Sequence, residues 1–98
     1  MNILSNKPRY KICENIIWRK EKSKDNLIIL RNKEGGPLLL LNGTASIIFE
    51  MCDGKNSFEA IKNTLIKLFD DTEQTLLEKD IKDFLKVLED KKLIKKVI

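Results

Sequence analysis

Short hydrophobic runs separated by polar turns occupy the first 41 residues and predict β-structure. The runs lie at residues 16–18, 27–30 and 38–41, and the first two are rich in isoleucine and other strand-favouring residues. The turn-forming stretch SKDN separates the first pair, and NKEGGP, whose two glycines permit a tight turn, separates the second. Three runs joined this closely predict an antiparallel meander.

Apolar residues at helical spacing dominate the rest of the chain and predict three helices. We expect N-caps at Asn42, Ser57 and Thr72, because these side chains accept hydrogen bonds from the first free N–H groups of a helix. DGKNS is expected to end the first helix, and residues 93–98 to form a short extended segment. The third helix is the longest, ends near Lys91 and has an apolar stripe formed by Leu77, Ile81, Phe84, Leu85 and Leu88.

The order of these elements predicts a single α+β domain over residues 1–98. A three-stranded antiparallel sheet followed by three short helices is the arrangement of a winged helix-turn-helix-like fold. The basic N-terminal segment, residues 1–12, precedes the predicted sheet, and we allow for its flexibility.

The predicted sheet is more apolar than one buried face requires. A sheet with one face on the core needs apolar residues only at alternate positions, yet all three runs are continuous. About half of these side chains therefore point away from the helices. Such a patch marks a protein partner or a second copy, unless the N-terminal segment or residues 93–98 fold over it. The third strand also has an undefended edge that can receive a peptide as an added strand.

Histidine, a residue that many catalytic and metal sites use, is absent from the chain. The chain has two cysteines and no histidine, which excludes a Cys–His nucleophile and a Cys/His zinc site. No glycine-rich phosphate loop is present. We therefore expect a protein that is not an enzyme, with no catalytic residues, no metal and no cofactor.

Hydropathy and charge bear on location and partners. The sequence shows neither a signal peptide nor a membrane span, so we expect a cytoplasmic protein with no membrane contact. Residues 1–36 carry nine Lys or Arg and four Asp or Glu, whereas the remainder carries ten and eleven. Because a helix-turn-helix DNA reader places its basic residues on the recognition helix, no nucleic-acid partner is expected. A winged-helix DNA-binding protein and a dimerising structural module remain the alternatives.

The stretch LLLLNGTASIIFEMCDGKNSFEAIKNTL resembles the PqqD-like family. The resemblance rests on the order and spacing of core positions, and DIKDFLKVLEDKKLIK matches the ending of the family pattern. It extends over about residues 14–94. The matching positions are Leu41, Asn42, Ala45, Cys52, Asp53, Gly54, Ser57, residues 61–65, Asp80, Ile81, Phe84, Leu85, Leu88, Leu93 and Ile94.

The resemblance implies a peptide-recognition element with a winged-helix fold. Members bind the leader of a ribosomally synthesised precursor peptide as an added strand, between the third strand and the third helix. They present it, as a non-catalytic chaperone, to a modifying enzyme that is often of the radical SAM type. This chain is expected to be free-standing, and a homodimer is compatible with the pattern.

Ten residues become the candidate peptide-binding site. The backbone of the third strand provides the pairing groups, at Leu38, Leu39, Leu40 and Leu41. Side chains of the third helix select the peptide, and the candidates are Lys79, Lys82, Asp83, Phe84, Lys86 and Val87. The three lysines contact acidic leader residues or form a solvated face, and the sequence does not decide which shoulder of the helix faces the strand.

Overall fold

Two three-stranded sheets and three helices make up the part of the chain that the computed structural model describes, residues 8–21, 27–69 and 74–97. For residues 74–76 the description covers the backbone alone. The strands are β1 (Arg9–Ile12), β2 (Ile16–Glu21), β3 (Leu27–Asn32), β4 (Gly35–Leu41), β5 (Asp53–Ser57) and β6 (Ile94–Val97). The helices are α1 (Thr44–Glu50), α2 (Phe58–Leu68) and α3 (Gln74–Asp90).

The predicted antiparallel meander is confirmed as the first sheet, in the order β2-β3-β4. The strand called third in the sequence prediction is β4. Trp18 lies opposite Leu30, and Leu30 lies opposite Leu39, so these three positions share the inner face of the sheet. The register of β3 and β4 shifts between Leu30 and Asn32, next to the turn that joins them.

The predicted element order, a sheet followed by three helices, is wrong in part, because a second antiparallel sheet has the order β5-β1-β6. Strand β5 lies between α1 and α2, in the stretch DGKNS that we expected to be a turn. Its polar residues are extended because they pair with β1, where Arg9 lies opposite Ser57. Strand β6 completes this sheet, and Ile12 lies opposite Ile94. Residues 1–7 of the N-terminal segment lie outside the described residues.

Two of the three predicted N-caps lie in the described residues, and one of them is confirmed. Ser57 caps α2, and its hydroxyl oxygen accepts a hydrogen bond from the N–H of Ala60 at 3.3 Å. Asn42 does not cap α1, because the helix begins one residue later, after Gly43 at a φ of 57°. Glycine tolerates this left-handed conformation, and it lets the chain turn sharply from β4 into α1. The predicted cap Thr72 lies outside the described residues.

One hydrophobic core lies between the first sheet and the helices. Its largest fully buried side chains include Ile28 and Leu30 of β3, Phe49 of α1 and Ile81 of α3. Trp18 packs edge-on against Phe49, with ring centroids 5.5 Å apart, and so fastens β2 to α1. The core also takes in the second sheet through Tyr10 and Ile94, which are both buried.

The two cysteines are free thiols. Cys52 is fully buried at the end of α1, and burial raises the pKa of its thiol to about 12. A thiol that stays protonated is a poor nucleophile, so Cys52 is a core residue.

Candidate functional site

Strand β4 forms an open edge of the first sheet. It pairs with β3 on one side, and no strand within residues 8–21, 27–69 and 74–97 pairs with its other side. Its sequence, GGPLLLL, has no charged residue, whereas the other edge strands, β2, β5 and β6, all contain charged residues. Charged side chains are a common protection of an edge against pairing. Among the edge strands described, β4 is therefore the one best suited to accept another strand.

The side chains of β4 alternate between the core and solvent. Leu39 and Leu41 are half-buried and pack against the core cluster, whereas Leu38 and Leu40 are 61% and 63% exposed. Backbone N–H and C=O groups also alternate along a strand, so neighbouring residues bond toward opposite edges. Two of the four leucines consequently direct their backbone groups toward β3, and two direct them toward the open edge.

Two pockets lie along α3, one against α1 and one against the start of β4. The strip of surface that connects them along the open side of β4 is called the groove. The first pocket, of about 390 Å³, is lined from α3 by Asp80 and Phe84 and from α1 by Thr44, Ala45 and Ile48. Phe69, at the end of α2, is a further wall residue of this pocket.

The second pocket, of about 250 Å³, lies near the β3–β4 turn. Gly35, Pro37 and Leu39 line it from β4, and Lys91, the residue after the end of α3, lines it from the other side. The start of β4 therefore lies near the end of α3, and the two elements run in opposite directions along the groove.

The two pockets identify the shoulder of α3 that borders the groove. Residues 80, 84, 87 and 91 follow one another at spacings of four, three and four, which places them along one side of a helix. Asp80 and Phe84 line the first pocket and Lys91 lines the second, so Val87 lies between them on the same shoulder. Val87 is 45% exposed and Phe84 is half-buried. This shoulder has an acidic end, an apolar middle and a basic end.

Lys82, one of the predicted site residues, lies on the opposite shoulder of α3. Its ammonium is 5.2 Å from the centre of the Phe58 ring on α2. On the same side Lys62 of α2 forms ion pairs with Glu59 at 3.3 Å and with Glu78 of α3 at 3.0 Å. The hydrogen bond that Lys62 donates to Glu78 lowers the pKa of the Glu78 carboxyl. The same bond, and then the one that Lys62 donates to Glu59, raise the pKa of Lys62. This shoulder joins α3 to α2.

The remaining predicted side chains of α3 lie on its solvent face and pair with one another or with a neighbour. Lys79 bonds Asp83 at 3.0 Å, and Lys86 bonds Asp90 at 3.2 Å, both along the helix. The hydrogen bond to Asp83 raises the pKa of Lys79. The structure thus places Phe84 and Val87 on the shoulder of α3 that connects the two pockets, and Leu39 in the wall of the second pocket. The predicted lysines lie on other faces of α3.

Sequence reasoning missed Lys91 and Phe69 as groove residues. The spacing from Phe84 through Val87 to Lys91 was a usable signal, because it continues one side of the helix by a further turn. Phe69 had no such signal, since it follows the last residue of α2 and reaches the pocket only through the packing of three helices.

The described residues contain neither a metal-binding cluster nor a membrane-spanning helix. No group of three or more Cys, Asp or Glu side chains among them could hold a metal ion. None of the helices in the described ranges combines the length and hydrophobicity that a bilayer crossing requires.

Comparison with known proteins identifies a family and a similar fold. The family model described as Coenzyme PQQ synthesis protein D (PqqD) matches residues 28–94. A solved structure described as "TbiB1 in Complex with the TbiA(beta) Leader Peptide" matches with a TM-score of 0.74 and 21% sequence identity. The match covers 87% of this chain and 94% of that chain, and shows a shared fold. Comparison with curated proteins yields no match.

Proposed function

Because the chain belongs to the PqqD family, we propose that it is an adaptor that binds the leader of a ribosomally synthesised precursor peptide. The adaptor has no catalytic role and needs no cofactor. It presents the bound leader to a modifying enzyme of the radical SAM type, in the cytoplasm. We also propose that its fold is of the winged-helix type. The structural neighbour supports it, since that protein was solved with a leader peptide.

The observation that carries the proposal is the uncharged open edge of β4 beside the groove. A peptide that adds to this edge gains main-chain hydrogen bonds that depend little on its sequence. The backbone of residues 38–41 supplies the pairing groups. The groove is wide enough at both ends to hold side chains, with pockets of about 390 and 250 Å³.

Side-chain selectivity then comes from the shoulder of α3 that faces the groove. Phe84 and Val87 offer apolar contact in its middle, where every second residue of an added strand points inward. Asp80 at one end and Lys91 at the other favour a leader with a basic residue near α1 and an acidic residue near the β3–β4 turn. Lys79, Lys82, Asp83 and Lys86 have a peripheral role.

The ion pairs of α3 weigh against DNA binding as the alternative. Lys79 and Lys86 each bond a carboxylate one helical turn away, and Lys82 lies over an aromatic ring. Phosphate contacts would have to displace these partners, and duplex binding rests mainly on unpaired basic side chains. A strong dependence of duplex affinity on salt concentration would support the DNA alternative.

Amide hydrogen exchange with and without a leader tests the proposal. The probe is a synthetic leader segment of a candidate precursor peptide, which is to be sought among the genes that neighbour the one for this chain. We expect alternate amides of residues 38–41 to exchange rapidly in the free protein and slowly in the complex, because the peptide bonds to them. Strand β6 is the internal control, since it is also an edge strand and its amides should not change. Full protection of residues 38–41 before any peptide is added would contradict the proposal.

A further inference from the structure

The outer face of the first sheet, which points away from the helices, is apolar and exposed. Ile17 is 44% exposed, and Leu38 and Leu40 are 61% and 63% exposed. Ile29 lies directly opposite Leu40 in the neighbouring strand, so the four side chains form a continuous patch across three strands. These four residues are called the outer face.

Two arginines flank a pocket in the outer face. Arg19 and Arg31 line it together with Ile17, Ile29 and Leu38, and its volume is about 220 Å³. That space equals several water molecules at roughly 30 Å³ each, enough for a large apolar side chain. Arg19 pairs with Glu21 on the same strand. Arg31 takes part in none of the salt bridges found among the described residues, and its guanidinium donates to the backbone carbonyl of Asn32.

Residues 94–97 do not cover the outer face. Ile94–Val97 forms β6, in the second sheet, so this part of the expected covering segment is committed elsewhere. Pro8, where the described chain begins, lines a pocket with Tyr10 and Phe58, also beside the second sheet. The outer face is therefore open to another molecule as far as the described residues are concerned.

Charge distinguishes between the occupants of this face. Residues 16–21 and 27–34 carry four Lys or Arg and two Asp or Glu, so the described part of this sheet has a net positive charge. In a symmetric dimer the same patch of each copy meets, so two positively charged surfaces would face each other. An acidic surface of a different protein would instead gain from complementary charge as well as from apolar burial.

We infer that the outer face docks a second protein that presents apolar side chains flanked by carboxylates. If the proposed function holds, this protein is the enzyme that modifies the peptide. Leu38 and Leu40 belong to β4, the strand whose open edge is proposed to bind the leader. A protein docked on the outer face would therefore lie next to the bound peptide.

Two short synthetic peptides with the same apolar centre and opposite charge test this inference by amide NMR titration. The acidic probe is acetyl-Glu-Leu-Phe-Glu-amide, and the basic probe is acetyl-Lys-Leu-Phe-Lys-amide. We expect the acidic probe to bind up to about fivefold more tightly, the upper ratio for one exposed charge pair. Its binding should shift the amide signals of Ile29, Arg31 and Leu38.

Paired variants separate the outer face from nonspecific effects of charge. Arg31→Glu should reverse the preference between the probes, whereas Arg9→Glu, at an exposed position of β1, should leave it unchanged. Leu38→Glu should abolish binding of the acidic probe, whereas Leu68→Glu should retain it. Leu68 is a matched control because it is a leucine of α2 that is 55% exposed.

The other occupants of the outer face give different results, and each would overturn the inference. Equal or absent binding of both probes would contradict it directly, and shifts confined to Leu77 and Phe84 would assign the probes to the groove. Sedimentation that depends on concentration, and is abolished by Leu38→Glu, would identify a second copy. Probe binding that requires deletion of residues 1–7 would identify the N-terminal segment. A leader that fails to protect β4 overturns the proposed function without affecting these measurements.

Discussion

The two sheets of this protein differ in how the chain builds them and in what they expose. The first sheet, β2-β3-β4, uses one continuous stretch with short turns, and its third strand has an uncharged open edge. The second sheet, β5-β1-β6, combines strands from the beginning, the middle and the end of the described chain. It contributes the buried residues Tyr10 and Ile94 to the core, and its edge strand β6 carries exposed lysines.

This difference suits the two sheets to different roles: the first sheet is suited to binding, and the second joins distant parts of the chain. A local meander forms from neighbouring segments and can leave one edge and one face available without losing its own strand pairing. A sheet that joins distant segments depends on their burial, because each distant contact costs loop entropy. We therefore expect substitutions of buried side chains in the second sheet to destabilise the fold. Substitutions on the exposed edge and face of the first sheet should have little effect on stability.

The largest expected effect compares one aliphatic residue from each sheet. Ile94→Ala removes a side chain that is 2% exposed and should lower the free energy of unfolding by about 2–5 kcal/mol. Leu40→Ala removes one that is 63% exposed and should change it by no more than about 0.5 kcal/mol. Urea unfolding of both variants measures the difference. Similar losses in the two variants would show that the outer face is covered in the native protein.

The same difference explains which sheet could be predicted from the sequence. The apolar runs at residues 16–18, 27–30 and 38–41 and their short turns predicted β2, β3 and β4 directly. The stretch DGKNS of β5 has turn-forming residues, and pairing with β1 overrides that local preference. The alternation of Tyr10 and Ile12 with charged residues was a signal for β1, but nothing local indicates which distant strands it joins.

A proline scan of residues 38–41 tests whether the edge of β4 is open. Proline removes one backbone N–H, so at the two positions that bond to β3 it should destabilise the sheet. At the other two positions the fold should survive, and leader binding should weaken by about 1 kcal/mol or more per lost hydrogen bond. Unfolding and binding are measured for all four variants. Destabilisation at all four positions would show that both edges of β4 are occupied.

The candidate site was predictable to the extent that it follows from periodicity. The strand leucines and the apolar positions Phe84 and Val87 were predicted as candidates. The sequence did not decide which shoulder of α3 faces β4. Helical spacing shows which residues share a side of the helix, but not which neighbouring element that side faces. Contacts made by other elements fix it, namely Phe58 of α2 beside Lys82 and the residues of α1 in the first pocket.

Opposite shoulders of α3 provide the next comparison, Val87→Glu against Lys82→Glu. Val87 borders the groove, so a carboxylate there would be desolvated by an apolar leader and should weaken binding by about 1 kcal/mol. Lys82 lies on the α2 side, and its reversal should have an effect of no more than about 0.5 kcal/mol, as for an exposed charge. Calorimetric titration with the leader measures both. A larger effect at Lys82 would place the peptide on the opposite shoulder.

The smallest expected effect concerns an ion pair that links the segment after β1 to β6 in the second sheet. Glu14 follows β1, and its carboxylate accepts a hydrogen bond from Lys95 of β6 at 3.2 Å. A backbone hydrogen bond at Glu14 and then the bond from Lys95 lower the pKa of this carboxyl to about 2, from an ordinary value of 4.5. Because the pKa is lower in the folded state, the ionised carboxylate stabilises the fold above pH 4.5, and this contribution disappears as the pH falls toward about 2.

The effect of Glu14→Gln on the free energy of unfolding therefore has a predictable sign across this pH range. The unchanged protein should be the more stable above pH 4.5, and the difference in unfolding free energy should vanish near pH 2. Lys95→Met should reduce the pH dependence without abolishing it, since the backbone hydrogen bond is the larger cause of the shift. Added salt should weaken the contribution of Lys95, because both side chains are exposed. Urea unfolding at several pH values measures these differences. A difference that is constant from pH 4.5 down to 2 would mean that Glu14 titrates alike in the folded and unfolded protein. Strands β1 and β6 would then be joined only by their backbone pairing and their buried side chains.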